Sequence, residues 1–480
     1  MTLNNGFYLQ GLAWITLVVC GLVQGLAWIT LVGCGLVQYF TGVGSVLWLP
    51  FILACVMVIL LMMQTRFSQF SLGTQEQLIL FGLVALFILA LLSTVLQNGV
   101  TVTIVGFKNE LAMALITLCL LLGFCRESQI YRVTQTLYWI FYLQFPVIAY
   151  QVLVMVPKRV AAMGEYEKWD SVVGTFGGDP LGGGNTAALG LFCLLIMLLK
   201  LSEYKHGVAT KRSTLLHIIA AFAVCVLGEI KFVILISPLL LAFTWFAPSY
   251  LKGMRRYGLK MVLIILFGML ALITIAVLVL AASYASAFGG DPSKGALMVF
   301  IDSLSYAFDP HYILPSGELG RMTTLFFWQE NSDLYGWPSQ WFGYGLNATN
   351  HGSSVAPGFL NQVFNVLLDS TSLSMMLWEL GLVGLLLFVA VVGTIVWVAL
   401  PTPQLDIESI NDEDRRLLAS QPAFIAFIIA VLLSLPYSQI LMLVPMLQFL
   451  FYFALGAVVV IRQSVRQQVT HCDFAMRGEA

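Results

Sequence analysis

The chain has 480 residues, of which 59% are hydrophobic and 10% charged, with a formal net charge of −1. Globular domains carry roughly 25% charged residues, so the composition excludes an ordinary soluble domain, and the near-neutral balance points to no nucleic-acid partner. Apolar runs of membrane-crossing length recur along almost the whole sequence. Unpaired backbone groups are costly in hydrocarbon, so these runs are read as helices and the fold class as an all-α polytopic membrane protein.

Twelve spans are expected, at 8–38, 45–63, 78–96, 108–125, 134–156, 184–200, 214–227, 229–246, 259–283, 376–398, 420–434 and 438–461. The pairs 214–227/229–246 and 420–434/438–461 read either as tight hairpins or as broken, re-entrant elements. Residues 1–6 contain no basic side chain, so the first run reads as retained rather than as a cleaved signal peptide. That run holds a duplication: GLAWITLVVCGLVQ at 11–24 returns as GLAWITLVGCGLVQ at 25–38, with Gly33 in place of Val19. Fourteen residues are close to four helical turns, so the two copies present nearly the same face, and one long helix is expected rather than two crossings.

Lysine and arginine set the orientation. With both termini cytoplasmic, sixteen of these residues fall inside and six outside, the six being Lys108, Lys158, Arg159, Lys168, Lys294 and Arg321. The expected division is a first group of nine spans over 1–283 with an outer loop at 157–183, an outer loop domain at 284–375, three further spans over 376–461 and a cytoplasmic tail at 462–480. This places 284–375 on the outer side of the membrane. A loop of that length without structure is uncommon unless it is functional or disordered. Its tryptophans and tyrosines, among them Trp328, Trp341 and Tyr344, argue against disorder, and 359–368 is amphipathic enough to lie in the interface plane.

Eight cysteines lie mostly inside apolar runs and form no CxxC pair, so neither zinc nor a disulfide framework is indicated. No residue cluster calls for a metal or another cofactor. The glycines of GTFGGDPLGGGN (174–185) lack a following GK[ST], so they are not read as a nucleotide loop. Cationic residues at the outer face are the informative ones, because they break the charge rule. Lys158, Arg159, Arg321 and Lys231, the last beside Glu229 in GEIKF, would suit a diphosphate. Glu229 and Lys231 are two apart and need not pair. A carboxylate such as Asp369 or Glu330, or His351, is the expected general base on a sugar hydroxyl. Trp328, Trp341 and Tyr344 either stack on sugar faces or form the loop's own small core.

Three stretches carry a resemblance: DSVVGTFGGDPLGGGN (170–185), GEIKF (228–232), and the block from GRMTTLFFW (320–328) through WFGYGLNATN (341–350) to WELGLVGLLLF (378–388). Together they resemble the superfamily of O-antigen ligases and lipid-linked polysaccharide polymerases. The resemblance implies a metal-independent glycosyltransferase that uses no nucleotide sugar. It would join a glycan held on undecaprenyl diphosphate to an acceptor, among membrane lipids and with a chain-length regulator or export complex as a further partner. It implies that Arg321 binds donor diphosphate or glycan and that Glu379 holds the junction between loop and helix. Ligases of this kind show His-Asn about nine residues before that Glu; here Asp369, Ser370 and Thr371 occupy the region. That departure favours a polymerase acting on lipid-linked repeat units. The alternatives are a ligase transferring the glycan to lipid A core or protein, and a transporter or flippase, for which a large two-fold internal repeat is expected.

Overall fold

The structure, a computed structural model, describes residues 21–63, 72–125, 127–164, 168–180, 183–251, 308–314, 316–353, 355–400 and 412–478, with isolated positions between 263 and 298. The expected span at 259–283 falls largely outside these residues, as do 284–297, 299–307, the inner loop 401–411 and the first copy of the duplication up to residue 20.

In chain order the helices are α1 (Gly21–Thr41), α2 (Gly44–Met63), α3 (Thr74–Leu111), α4 (Ala114–Leu121), α5 (Glu127–Met163), α6 (Thr186–Lys205), α7 (Lys211–Leu227) and α8 (Lys231–Phe246). There follow α9 (Thr323–Asn331), α10 (Trp337–Phe342), α11 (Phe359–Phe364), α12 (Ser372–Ala399), α13 (Asp412–Ser434), α14 (Ile440–Leu443) and α15 (Pro445–Gly478). Among the described residues, eight of these are long and apolar enough to cross a membrane: α1, α2, α3, α5, α6, α12, α13 and the Pro445–Arg466 part of α15. The one sheet described is a two-residue hairpin, β1 (Gly178–Asp179) with β2 (Gly183–Gly184). The chain is thus an all-α, polytopic membrane protein. The most apolar windows of α6, α13 and α15 are 83%, 83% and 94% buried, against 22% for α2 and 28% for α3, so the first three form the centre and the latter two the rim. On the rim, Phe81 and Leu96 are exposed, as a lipid-facing surface requires.

Two glycines break the helical backbone, one between two expected spans and one inside an expected span. Gly99 in α3 has φ 79° and ψ 177°. Thr94 Oγ1 accepts from Leu346 N at 2.8 Å, and a Cβ added at Gly106 would fall 2.6 Å from Leu346 Cβ. Twelve residues of straight helix span about 18 Å, so two positions touching the same leucine require the chain to turn back at Gly99. The expected spans 78–96 and 108–125 fall on either side of that turn. In α12, Gly381 has φ 66° and ψ −173°. A substituent there would strike the Trp341 backbone, so glycine serves both the turn and the close approach.

The helix ends sort into two sets by what they touch. At one end, Glu76 binds Arg462 at 3.0 Å and Arg466 at 3.1 Å, Arg416 reaches Tyr131 at 3.3 Å, and Arg415 donates to the His206 carbonyl at 2.7 Å. At the other end, the 170–185 segment is woven between α1 and α5. Tyr39 donates to Ser171 O at 2.7 Å, Gln151 accepts from Gly174 N at 2.8 Å, and Gln144 accepts from Thr175 N at 2.9 Å. Gly174 and Gly177 serve close packing, with a Cβ there falling against Gln144 and Gln38, and a Cβ on Gly35 of α1 would collide with Thr175 O. From Gly21 onward the duplicated run is one continuous helix through the copy boundary, with a π segment at Ile29–Cys34.

Residues 308–371 form a cap over this second end. It has its own core, containing Leu319, Trp328, Tyr344, Leu360, Leu368 and Trp378. The amphipathic stretch 359–368 contributes Phe359, Leu360 and Phe364 to that core, with Phe364 5.5 Å from Trp378, so its apolar side faces the cap and not the membrane interface.

Candidate functional site

The break at Gly381 frees the carbonyls of Trp378 and Glu379 from their helical partners. The cap takes them up: Tyr344 N donates to Trp378 O at 2.8 Å and Gly345 N to Glu379 O at 3.0 Å. The Glu379 side chain, fully buried, accepts from Thr349 N at 3.0 Å and Thr349 Oγ1 at 2.6 Å. Glu110 of α3, also buried, accepts from Asn347 N at 2.8 Å. The carboxyl groups of Glu110 and Glu379 lie within hydrogen-bonding reach of each other. The pair grips the 347–349 segment from two different helices.

That grip fixes the next residues. His351 Nδ1 lies 2.6 Å from Asp369 Oδ2, and the His351 amide points at the same oxygen at 3.4 Å. Asp369 is 3% exposed and His351 51%, so a buried carboxylate orients a half-exposed imidazole through its Nδ1. The Asp369 hydrogen bond holds the His351 imidazole above its usual pKa, and partial burial opposes it. Asp369 ends the loop that enters α12, where Thr371 caps the helix by accepting from Ser374 N at 3.0 Å. Arg321, just before α9, donates through Nη1 to the carbonyl of Ser370, the neighbour of Asp369. Its guanidinium lies 5.7 Å from the ring centre of Tyr437, and Tyr437 stacks at 5.0 Å on Phe232, the residue after Lys231. A continuous arc therefore runs from His351 through Asp369, Ser370, Arg321 and Tyr437 to the start of α8.

The predicted site residues divide accordingly. His351, Asp369, Arg321 and Lys231 are brought onto this arc, and Glu379 lies beneath it. Lys231 is in coulombic reach of Glu229 and Asp170, and Glu229 sits in the tight turn before α8 with φ 52°. Arg159 corrects the expectation of a surface cation. It is 1% exposed and donates to Pro180 O at 3.1 Å, with Asp170 at 4.0 Å, so it clamps the 170–180 loop. Lys158, its neighbour, is exposed. Glu330 does not join the pair: it is exposed near the end of α9, about 13 Å of helix from Arg321. Trp328 and Tyr344 are 8% and 0% exposed in the cap core, so they hold the cap together and present no open face. Trp341 is 43% exposed and remains available for stacking.

Glu110 and Tyr437 were not singled out from sequence. A signal existed for each. Lys108, Asn109 and Glu110 interrupt an apolar run, which marks an intramembrane ionisable residue, and Pro436, Tyr437, Ser438 and Gln439 interrupt another. Chemically, the arrangement combines an oriented, half-exposed imidazole with a fixed guanidinium nearby. Among the described residues no group of His, Cys, Asp and Glu has the makings of a metal site. The fold and the site together define a polytopic helical membrane protein with a capped polar junction. No protein-family model matches the chain, and no curated protein matches it.

Proposed function

We propose that this protein is a lipid-linked glycan glycosyltransferase that extends undecaprenyl-diphosphate-linked repeat units at the outer face of the bacterial cytoplasmic membrane. The observation that carries the reading is the His351–Asp369 pair, at 2.6 Å, opening beside Arg321. In the reaction, His351 Nε2 takes the proton of an acceptor hydroxyl. The hydroxyl oxygen attacks the anomeric carbon of the donor sugar, the bond from that carbon to the diphosphate oxygen breaks, and the electron pair leaves with the diphosphate. Direct attack inverts the anomeric configuration. Asp369 orients the imidazole and stabilises its protonated form. Arg321, with Lys231 at the far end of the arc, offsets the charge on the departing diphosphate.

The placement across the membrane supports this reading. The end opposite the cap carries Lys200, Lys205, Arg415, Arg416, Arg462 and Arg466, which by the positive-inside rule is the cytoplasmic end. The twelve-span count adds to the eight long helices the segment following the Gly99 turn, α7, α8 and residues 259–283. Both termini are then cytoplasmic and the cap periplasmic. Cysteine labelling of intact spheroplasts tests it: a cysteine at the exposed position Asp333 should be tagged by a membrane-impermeant maleimide and one at Asp412 should not. The reverse pattern would put the site on the wrong side for this chemistry.

Arg321→Ala should lower transfer by about 2–5 kcal/mol in transition-state stabilisation, as loss of a charge-assisted contact in a shielded site does. Arg321→Lys should recover only part, since the forked geometry is lost. Full activity in Arg321→Ala at normal expression removes it from the site. A cell lacking the gene tests the reaction: single repeat units on the carrier support polymerisation, full-length polymer stranded on the carrier indicates a ligase, and substrate trapped on the cytoplasmic side indicates a flippase.

A further inference from the structure

At the end opposite the cap, a cavity of about 260 Å³ opens where the turn 206–210 joins α6 to α7 beside the end of α8. Its lining includes Lys205, the last residue of α6, Thr210 and Lys211 at the start of α7, and Tyr204 and Trp245, whose rings stack at 6.0 Å. Among the described residues no carboxylate lines it. Arg415 of α13 adjoins the same turn. It donates to His206 O at 2.7 Å, and a Cβ added at Gly207, another lining residue, would fall 2.8 Å from its Nη2. Lys205 donates to Ala247 O at 2.6 Å and to Thr244 O at 3.4 Å, which ties it to the end of α8 and leaves one of its three ammonium hydrogens for a ligand.

Two features around this cavity call for an anion on a lipid. Lys211 and Arg212 occupy the first turn of α7, which holds no acidic residue, so two cations sit at the positive end of the helix dipole. Thr210 accepts from Ser213 N at 3.3 Å, which satisfies one of the first-turn amides that no helical carbonyl can reach. Beyond that turn the surface becomes apolar: Leu215, Leu216 and Ile219 are exposed. Lys211, Leu215 and Ile219 follow one another at four-residue spacing, so an apolar stripe leads away from the charged cavity along one face of α7. Tyr204 and Trp245 are of the kind that gathers at headgroup level.

We infer that this cavity receives the phosphate of an anionic phospholipid, with Lys205 and Lys211 on the headgroup and an acyl chain along Leu215 and Ile219. Basic pockets between spans take such headgroups. A free phosphate would satisfy the cations and leave the stripe unused. The site lies at the opposite end of the bundle from His351, so it stands apart from the proposed reaction.

The test is native mass spectrometry of the full-length protein titrated with dioleoylphosphatidylglycerol, dioleoylphosphatidylcholine or inorganic phosphate. The unaltered protein should retain phosphatidylglycerol in preference to phosphatidylcholine. Each lysine beside an anionic headgroup contributes roughly fivefold in affinity, so Lys205→Gln combined with Lys211→Gln should weaken phosphatidylglycerol binding about twentyfold and leave phosphatidylcholine unchanged. Lys211→Gln alone, at an exposed position, should weaken it about fivefold and serves if the double variant does not fold. Arg132→Gln removes another exposed cation near the same end and should leave the lipid preference intact. Equal retention of the two lipids, a preference untouched by the lysine variants, or an equal loss in Arg132→Gln overturns the proposal. Inorganic phosphate held through Lys211, with neither lipid preferred, would overturn it in favour of a free anion.

Discussion

On the proposed reaction, His351→Ala should lower glycosyl transfer by roughly 10²–10⁴-fold, the range expected for loss of a positioned general base, while the protein should remain folded with little change in its thermal midpoint. The side chain is half exposed and lies on the cap surface, so it contributes little to packing. The pH profile carries the finer test. A general base must be neutral, so activity rises as the pH climbs through the His351 pKa, which the Asp369 hydrogen bond holds above the ordinary imidazole value. Asp369→Asn removes the charge that stabilises the imidazolium, so the acidic limb moves to lower pH and the maximal rate falls as orientation is lost. A limb that stays in place in Asp369→Asn would show that the pair does not control the titration seen in the rate.

The second large effect is on stability. Glu379→Ala removes the acceptor of two buried donors on Thr349 and leaves Glu110 without its partner. Leaving a buried donor unsatisfied costs about 1–3 kcal/mol, and here there are two. Glu110→Gln behaves differently. An amide of the same size keeps an acceptor for Asn347 N and can donate to the Glu379 carboxyl group, so the loss should stay near ~1 kcal/mol. Thermal unfolding of both variants in nanodiscs, with intrinsic fluorescence as the signal, distinguishes them. Equal destabilisation by the two substitutions would contradict this difference between the two carboxyl groups. Because the pair grips the 347–349 segment, Glu379→Ala should also reduce activity through displacement of His351, and this part of the loss should not be recovered by raising the pH.

Much of this architecture is visible in the amino-acid sequence, and what is hidden is hidden for identifiable reasons. The apolar runs show the helices because burial in lipid needs composition and length, both of which are local. Arg321 stands out because it is an outer cation that breaks the charge rule, and Glu379 because the stretch 378–388 carries the family resemblance. A turn between the spans 78–96 and 108–125 is visible, but its placement at Gly99 is not, since a lone glycine in an apolar run reads equally well as a tolerated helix residue. It becomes certain only through Leu346, which touches both arms. The His351–Asp369 pair joins residues eighteen apart in a loop, and no periodicity reports such a contact. Arg159 reads as a surface cation at the end of a span, yet the 170–180 loop folds over it. Trp328 and Tyr344 carry the same composition signal as Trp341, and only packing separates the two in the cap core from the one left open.

The most direct test of glycosyl transfer is reconstitution. Purified protein in proteoliposomes is given an undecaprenyl-diphosphate-linked repeat unit bearing a radiolabelled sugar, and the products are separated by chain length. The account predicts a ladder of longer glycans still attached to the lipid diphosphate, formed without added metal or nucleotide sugar and abolished by His351→Ala. Label that only crosses the bilayer, with its chain length unchanged, would contradict it.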